Sequence, residues 1–511
     1  MHPPLGTDVE YRPLPSSANG AYSSSHYNSG RLESPWMRKL SRRQWIAVLA
    51  ASLILFALAS HTVLPTRTSH VKEFEQVPFE DSRDPLDLPD TPRPVDDTPV
   101  VHVNPGSSKY YEAVLNGPPT AKFRGNPHNL RNDTRYLTSW INAGFTNDVL
   151  NIGNIVYLAR MTDRIPVLPP LDSYIGHWST PRPLSSVFDL ARLSEALGFP
   201  VLEWSQVKDP ESTEIDVLGC WNIWQVANLD AIAPREARNP RELYLDMSYT
   251  TAPANVKLIP GYVHDSHSSF WSLAPLAFHD MRAKALAQPE VQTSPAPQTG
   301  VSVPPDEQML CYDYLFYTCV DEPFEYDNDV YPTWDVVLKH LHWTKEVERI
   351  GNEFLRKLLG VPDYEDTPPH ITIHARHGDF QNWCPDADRQ GCFTSMEAYS
   401  TRIAEIQQEL MERKGINVTR VIMTSDEQDE SWWDRVREMG WLRIDHEKEN
   451  TIIEYGEWYP VLIDAYIQSA SLGFIGTDRS TFSIVAKRRV KDWHDGAVRM
   501  VKWGTPDADN H

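Results

Sequence analysis

The stretch SLGFIGTDRSTFSIVAKRR, residues 471–489, decides the fold. An apolar run ends at Gly476, hydroxyl-bearing residues follow, and a helical pattern then carries basic residues at its far end. The pattern predicts a buried strand, a tight turn and a helix capped by Ser480 or Thr481. Free N–H groups and hydroxyls from Ser480 to Phe482 would bind an anion, because the first turn of a helix is the positive end of its dipole. A well-capped helix without a ligand is the alternative for this segment taken alone.

A second strand and turn lie at residues 371–380, ITIHARHGDF. Alternation along a strand places the His374 and Arg376 side chains on one face, just before the turn at Gly378 and Asp379. The guanidinium of Arg376 offers a planar fork of donors that matches phosphate oxygens. The sequence therefore predicts a second anion-binding group here. An Arg376–Asp379 surface ion pair with a structural His374 is the alternative.

A third stretch, YLTSWINAGFTND at residues 136–148, combines a β-like run, a glycine-containing loop and the start of an amphipathic helix. The small residues Ala143 and Gly144 would let the backbone approach an anion at the helix N-terminus. Asn147 would either cap this helix or reach a ligand oxygen, and the pattern does not choose between the two.

The order of strand-like and helix-like segments from about residue 106 onward predicts an α/β fold. Each of the three stretches is a turn between a strand and a helix, and in open parallel sheets ligands bind at that edge. The low-complexity run 287–306 predicts an exposed insertion or a loop between lobes. We expect an N-terminal lobe at residues 106–335 and a C-terminal lobe at residues 336–511. Asp464 is the one carboxylate in an otherwise apolar helical segment. It either recognises a nucleobase or is a solvent-exposed residue of the helix.

A membrane anchor is predicted near the N-terminus. Residues 44–65 contain no Asp, Glu, Lys or Arg, and about 20 apolar residues suffice to cross the hydrocarbon core as a helix. Basic residues on the N-terminal side place residues 1–43, a disordered tail, in the cytosol. The Pro- and Asp-rich residues 66–105 predict an extended stem, and sequons at Asn132 and Asn417 fit a luminal body. We expect a single-pass type II protein of the Golgi or ER membrane, since a cleaved signal peptide would need an unusually long n-region.

The five cysteines form two pairs of equal spacing, Cys311 with Cys319 and Cys384 with Cys392, and leave Cys220 over. Disulfides at both pairs are expected in an oxidising compartment, with five buried thiols as the alternative. No CxxC motif occurs, so a structural zinc site is not expected.

The charge balance narrows the choice of partners. The chain has 48 basic and 70 acidic side chains and a net charge of −22, which argues against nucleic acid as the main partner. Three Asp-x-Asp triplets, which begin at Asp327, Asp386 and Asp507, are about the number that chance placement gives. We therefore predict no metal from them.

Together, the three stretches resemble the GDP-fucose protein O-fucosyltransferase family, in its diverged fungal, membrane-anchored form. Residues 374–380, HARHGDF, match the family's H-x-R-x-G-D-F, and residues 474–483, FIGTDRSTFS, match its F-I-G-T-x-x-S-T-F-S. The loop at residues 144–147, with VLPP at residues 167–170 after the helix, resembles the family's first βα turn. The similarity spans roughly residues 136–490 and is strong only in these patches.

The resemblance implies a GT-B-like pair of Rossmann-type lobes that hold GDP-fucose between them, with no metal and no cofactor. It implies that Arg376 binds the β-phosphate and supports the departure of GDP, and that Asp464 reads guanine. Asn147 would lie near the acceptor, a protein or glycan hydroxyl. The remaining donor-binding residues that the resemblance implies are Gly144, His374, Gly378, Asp379, Ser480, Thr481 and Phe482.

The first loop departs from the family pattern at two positions. Gly144 stands where one branch has an Arg, and Ala143 stands where the other branch has the Glu proposed as general base. The group that accepts the proton is therefore unassigned. Asp148 is one candidate, and departure of GDP assisted by Arg376 without a strong base is another.

Three functions remain open at this stage. The first is a GDP-fucose-dependent fucosyltransferase that inverts the anomeric centre. The second keeps the fold but uses another GDP-sugar or a glycan acceptor, because a fold and a donor pocket do not fix the acceptor. The third is a catalytically silent binding protein, which the missing base candidates suggest.

Overall fold

The structure is a computed structural model that describes residue 111 and residues 113–124, 128–362, 364–384, 391–505 and 508–509. The predicted tail, membrane span and stem lie outside these residues. Among the helices of the described ranges, none has the length and apolar character needed to cross a bilayer.

Parallel strands form most of the regular β structure, which confirms the α/β prediction. The strands are, in chain order, β1 (Tyr136–Trp140), β2 (Ile165–Leu168), β3 (Leu202–Glu203), β4 (Asp216–Asn222), β5 (Leu245–Thr251), β6 (Ser268–Ser269), β7 (Met309–Tyr314), β8 (Thr318–Cys319), β9 (His370–Ala375), β10 (Arg420–Ser425), β11 (Gly473–Thr477) and β12 (Ala497–Val501).

One or more α-helices separate most consecutive strands of the described residues. They are α1 (Phe145–Met161), α2 (Leu190–Leu197), α3 (Trp204–Val207), α4 (Trp224–Ala227), α5 (Asn239–Glu242), α6 (Phe270–Leu273), α7 (His279–Leu286), α8 (Pro332–Val336), α9 (Lys345–Leu359), α10 (Met396–Lys414), α11 (Glu430–Glu438), α12 (Thr451–Tyr455), α13 (Tyr459–Ser469) and α14 (Thr481–His494). Short 3-10 helices occur at Leu184–Ser186, Ala254–Val256, Ala274–Ala277, Glu325–Asp327, Leu338–His340 and Gly378–Trp383.

Two parallel sheets carry the architecture. The first has the strand order β3-β2-β1-β7-β4-β5, and the second has the order β10-β9-β11-β12. Strands β6 and β8 form a separate two-stranded sheet. The first sheet falls within residues 136–314 and the second within residues 370–501, so each lies inside one of the two predicted lobes.

Most strand residues of both sheets are buried, as is typical of parallel sheets, and the partly buried ones include the three middle residues of the edge strand β12. All five residues of β1 and all five of β11 are buried. One apolar cluster runs from α1 of the first lobe to α13 and α14 of the second, where Ile155, Leu462 and Val485 are members. The two sheets therefore share a core through these helices.

The low-complexity run 287–306 is exposed along most of its length but is anchored to the first sheet. The Asp246 carboxylate on β5 accepts hydrogen bonds from the backbone N–H groups of Gln298 and Thr299. A Cβ on Gly219 of β4 would lie 2.6 Å from the Pro304 carbonyl carbon, so the run packs directly on the strand.

The disulfide pairing differs from the prediction at one pair. Cys384 is bonded to Cys392, but Cys311 is bonded to Cys220, and Cys319 is a free, buried thiol. The prediction of a Cys311–Cys319 bond was wrong. It relied on spacing along the sequence, which suggests only bonds that close short loops. Strands β4 and β7 are neighbours in the sheet and bring Cα atoms 91 residues apart to 4.5 Å.

Candidate active site

The carboxyl ends of β9 and β11 are tied together by side-chain hydroxyls. Thr477 Oγ1 donates to the His374 carbonyl at 2.9 Å and accepts from the Arg376 backbone N–H at 2.9 Å. The Thr477 N–H donates to Ser483 Oγ at 2.9 Å, and the same oxygen lies 2.7 Å from His374 Nδ1. Two stretches about 100 residues apart in sequence thus form one hydrogen-bonded unit, which we call the hydroxyl lock (His374, Arg376, Thr477, Ser483).

Glycine at position 476 allows this approach. A Cβ there would lie 2.7 Å from the Ser483 Cβ and 2.8 Å from the Phe474 ring, too close for either to stay in place. The helix α14 can therefore start directly against the end of β11 only because residue 476 has no side chain.

His374 is a neutral side chain inside the lock. Its ring is buried and packs on Phe482 with centroids 4.9 Å apart. Burial, together with the nearby charge of Arg376, lowers its pKa to about 3. The imidazole therefore offers hydrogen bonds but no positive charge at neutral pH.

The N-termini of α1 and α14 meet at the site. Thr146 Oγ1 and Thr481 Oγ1 are 2.9 Å apart, and the Thr481 hydroxyl also donates to Asn147 Oδ1. The contact joins the first loop of one sheet to the third motif of the other. It brings two positive helix ends together, where an anion would be stabilised.

The expected side-chain caps are absent from these two helices. Gly144 is the N-cap of α1 and has no side chain to bond, and Ser480 is the N-cap of α14 but makes no capping hydrogen bond through its side chain. Asn147 lies inside the first turn and binds Thr481 rather than capping. The preceding residue, Arg479, has φ +64, a left-handed conformation that costs energy for a residue with a side chain. First-turn N–H groups thus remain open to a ligand.

Arg376 projects from the end of β9 and is about one third exposed, with 32% of its side chain accessible. Its Nη2 lies 2.6 Å from Asp379 Oδ1, and its Nη1 is paired with Asp426 Oδ2. The ion pair with Asp379 that the sequence left as an alternative is present, and Asp426 adds a second carboxylate. A diphosphate that binds here has to share or replace these partners.

Asp426 is a site residue that the sequence reasoning missed. It follows β10, the strand next to β9, and its Oδ1 accepts from the His377 N–H at 2.8 Å. A Cβ on Gly378 would lie 2.9 Å from Asp426 Cγ and closer still to its Oδ2. Gly378 therefore leaves the space that the carboxylate occupies when it holds Arg376. The signal was an acidic residue at the end of an apolar strand, VIMTSD, residues 421–426.

Asp148, one candidate for the base, is completely buried. Its Oδ2 accepts from Ser173 Oγ at 2.7 Å, and its Oδ1 has no hydrogen-bond partner among the described residues. Burial raises its pKa to about 8, with the nearby Asp172 adding to the shift. In this conformation the carboxyl is protonated at neutral pH and has no access to an acceptor hydroxyl.

Asp464 lies on α13 and is paired with His446, with Nε2 and Oδ1 3.2 Å apart. It is half-buried, and no contact joins it to the hydroxyl lock within the described residues. One turn further along α13, Gln468 donates to Thr424 at the end of β10. Asp464 therefore lies on a helix that contacts the same sheet edge.

The described residues contain no group of three or more His, Cys, Asp or Glu side chains arranged to hold a metal ion. Both sequon asparagines, Asn132 and Asn417, are exposed. Of the predicted site residues, the structure joins Asn147 to Thr481 and His374 to Phe482. The Arg376 backbone bonds to Thr477, while its guanidinium is held by Asp379 and Asp426.

Comparison with known proteins gives a family. A sequence model described as GDP-fucose protein O-fucosyltransferase matches residues 136–491, which is more than half of the chain. No curated protein sequence is significantly similar to it.

Solved structures give weaker likenesses. One is the crystal structure of POFUT1 in complex with GDP-fucose, at 14% identity over 73% of this chain and 99% of that chain, with a TM-score of 0.44. POFUT1 in complex with GDP gives 14% identity over 73% of this chain and 100% of that chain, with a TM-score of 0.46. The fucosyltransferase NodZ from Bradyrhizobium gives 12% identity over 70% and 92% of the two chains, with a TM-score of 0.35. Scores this low support no argument about the site. On the family match, the chain belongs to the GDP-fucose protein O-fucosyltransferase family and is a glycosyltransferase.

Proposed function

We propose that the chain transfers fucose from GDP-fucose to a hydroxyl of a protein or glycan, with inversion at the anomeric carbon. The observation that carries the proposal is the hydroxyl lock, which sets the Arg376 strand end beside the uncapped start of α14. The strand end that carries Arg376 and the helix N-terminus beside it suit a diphosphate, because guanidinium groups and open helix N–H groups both bind phosphate oxygens.

The donor would lie with its diphosphate between Arg376 and the first turn of α14. The Ser480 hydroxyl and the Thr481 N–H are the donors offered there, since the Ser480 N–H bonds to the Thr477 carbonyl and the Thr481 hydroxyl to Asn147. Phe482 packs on His374 to form an apolar wall. Gly378 and Asp379 shape the turn that carries Arg376. Guanine would lie toward Asp464, whose carboxylate suits the paired N–H donors of that base, once it exchanges its His446 partner.

The reaction we propose is a single displacement. The acceptor oxygen attacks the anomeric carbon while the bond from that carbon to the β-phosphate oxygen breaks and GDP leaves with the electron pair. Negative charge grows on the leaving diphosphate, where fixed positive donors stabilise the transition state most. Because Asp148 is buried and protonated, we favour departure assisted by Arg376, with the hydroxyl proton passing to water.

We also propose that no metal is needed, because Arg376, once it exchanges Asp379 and Asp426 for phosphate oxygens, offers positive charge to the diphosphate together with the two helix starts. Transfer should then persist in excess chelator. Loss of transfer in chelator, restored by a divalent cation, would overturn this part of the proposal.

The location remains a proposal from the sequence. We propose a type II protein of the Golgi or ER membrane, with residues 1–43 cytosolic and the described lobes luminal. Exposed sequons at Asn132 and Asn417 support it. Glycosidase-sensitive mobility shifts that Asn132→Gln and Asn417→Gln remove would test it, and unmodified sequons in both would contradict it.

The deciding experiment measures GDP binding and fucose transfer by the full chain. We expect micromolar to millimolar GDP affinity by calorimetry and at least a hundredfold loss of transfer in Arg376→Ala. Arg241→Ala is the matched control, because Arg241 is exposed and its ion pair within the described residues is with Glu242 at 3.6 Å. Failure of the wild-type chain to bind GDP at millimolar concentration would overturn the proposed function.

A further inference from the structure

A short hairpin beside the site presents two exposed aromatic rings. It runs from Leu171 to Arg182, whose backbones are paired at 2.8 and 2.9 Å, and Tyr174 pairs with Trp178 near its tip. Gly176 forms the turn with φ +101, a conformation that glycine adopts without strain. We call this segment the aromatic hairpin (residues 171–182).

The aromatic hairpin is continuous with the candidate active site. The Tyr174 N–H donates to the Ala143 carbonyl at 2.8 Å, and Tyr174 pairs with Gly144, the N-cap of α1. The hairpin backbone is thus bonded to the loop that leads into α1, three residues before Asn147. If Asn147 lies near the acceptor, as the proposed function requires, a group bound on the hairpin lies near the same loop.

The hairpin is held on the opposite side by the second lobe. Glu457, in the turn before α13, accepts from the Thr180 N–H at 2.6 Å and lies 2.9 Å from His177 Nε2. The Trp458 indole N–H donates to the Thr180 carbonyl at 3.0 Å. The hairpin is therefore fixed before any ligand arrives, and little conformational entropy is lost on binding.

The two rings form an open corner. Tyr174 is 51% exposed and Trp178 is 45% exposed, with centroids 5.8 Å apart and planes at 77°. The Arg238 guanidinium lies over the Trp178 ring, 5.5 Å from its centroid, and pairs with Asp172 at 2.8 Å, which favours this position of the indole. Tyr and Trp give large, rigid contact areas at low entropic cost, and exposed clusters of them mark binding surfaces.

The surroundings of the corner are polar. His177 is exposed between the two rings in sequence, and Glu457 lies against it. An apolar peptide side chain would need an enclosed pocket, whereas half-exposed rings with polar neighbours suit a ligand that has a C–H face and hydroxyl edges. A pyranose ring has both.

We propose that Tyr174 and Trp178 bind a pyranose ring of a glycan acceptor and hold its hydroxyl toward the donor site. This assignment rests on the proposed function and names its acceptor class. Donor binding should not depend on these side chains, since the groups proposed to bind the diphosphate lie on β9 and α14.

The test measures saturation transfer by NMR from the full chain in detergent to four probes, the methyl pyranosides of glucose, mannose, galactose and N-acetylglucosamine. GDP affinity is measured by calorimetry on the same samples. We expect saturation of ring C–H protons in at least one probe, about tenfold weaker binding in Trp178→Ala and Tyr174→Ala, and unchanged GDP affinity. Trp271→Ala is the matched control, because Trp271 is 62% exposed and lies outside the hairpin.

The other outcomes overturn the inference in distinguishable ways. GDP binding with no pyranoside saturation rejects the glycan surface but leaves the proposed function intact. Equal loss of GDP affinity and saturation in the hairpin variants shows a structural role instead. Saturation of an unglycosylated Ser/Thr peptide alone, sensitive to Trp178→Ala, assigns the surface to polypeptide. A wild-type chain that binds no GDP fails the proposed function itself.

Discussion

Gly378→Ala tests whether Asp426 holds Arg376 in place. The added methyl would lie 2.9 Å from Asp426 Cγ and closer to Oδ2, whereas ordinary carbon–carbon contact is about 3.5–4.0 Å. The carboxylate has to move by roughly an ångström. It then leaves hydrogen-bond distance of the His377 N–H, now at 2.8 Å, and breaks its pair with Arg376.

The size of the effect follows from those two contacts. A hydrogen bond to a charged group is worth about 1.5–3 kcal/mol, and the partly exposed ion pair adds less than about 1 kcal/mol. We expect a loss of about 2 kcal/mol in unfolding free energy. The guanidinium also loses a fixed orientation, so GDP affinity should fall about tenfold, which corresponds to about 1.4 kcal/mol.

The assay is calorimetric GDP titration together with denaturant unfolding. Gly117→Ala is the control, because a Cβ there meets nothing within 4 Å and the residue does not have a positive φ. Asp426→Asn keeps an oxygen for the His377 N–H but replaces the oxygen that pairs with Arg376 by an NH2 group, so it should weaken GDP binding in the same direction as Gly378→Ala while costing less stability. If Gly378→Ala leaves both GDP affinity and stability unchanged, Asp426 does not position Arg376.

Three further predictions concern stability. As pH rises from 4 to 8, Asp148→Asn should become more stable relative to the wild type, by at most about 1.4 kcal/mol per pH unit. The reason is that burial raises the pKa of the Asp148 carboxyl to about 8, so in this range the wild-type carboxyl is ionised only in the unfolded chain. The same difference between variant and wild type at pH 5 and pH 8 would contradict this. The wild type should lose stability as pH falls from 6.5 toward 3, because His374 has a pKa of about 3 in the fold and gains a proton mainly in the unfolded chain. His374→Gln should reduce the dependence of the melting temperature on pH in this range. An unchanged dependence would show that His374 is not the group responsible. Cys311→Ser should lower the free energy of unfolding by about 4–5 kcal/mol and Cys384→Ser by only about 2–3 kcal/mol, because the two disulfides close loops of 91 and 8 residues. Non-reducing peptide mapping should show Cys220 as a free thiol in the first variant. Equal losses in denaturant titrations would count against this explanation.

Local patterns were enough to predict the strands and helices that carry the site. The residues 371–375 alternate as a strand, and residues 473–489 give a strand, a glycine and a helix. The meeting of Arg376 with the start of α14 followed from the rule that parallel strands present their carboxyl ends at one edge. In the structure the ends of β9 and β11 meet through Thr477, which accepts from the Arg376 backbone N–H and donates to Ser483, whereas the guanidinium itself is held by Asp379 and Asp426.

What sequence could not show depends on neighbours in space. The order β10-β9-β11-β12 is not chain order, so nothing in the pattern placed Asp426 beside Arg376. The Cys220–Cys311 bond depends on β4 and β7 being adjacent in the same way. Asp148 was a candidate base because it lies next to Asn147 in sequence. Its burial against Ser173 depends on tertiary packing, which the sequence pattern does not show.

The hydroxyl lock has a consequence for recombination between relatives. Each partner supplies half of a shared network, so a segment transplanted from another member brings donors whose acceptors stay behind in the host chain. Exchanging residues 473–489 alone should therefore fail wherever position 374 differs, whereas exchanging both strands as a pair should succeed. Substitutions in this pocket would then have to occur together on β9 and α14. The aromatic hairpin at residues 171–182 lies outside both segments, so its exposed side chains could change independently and alter which acceptor binds.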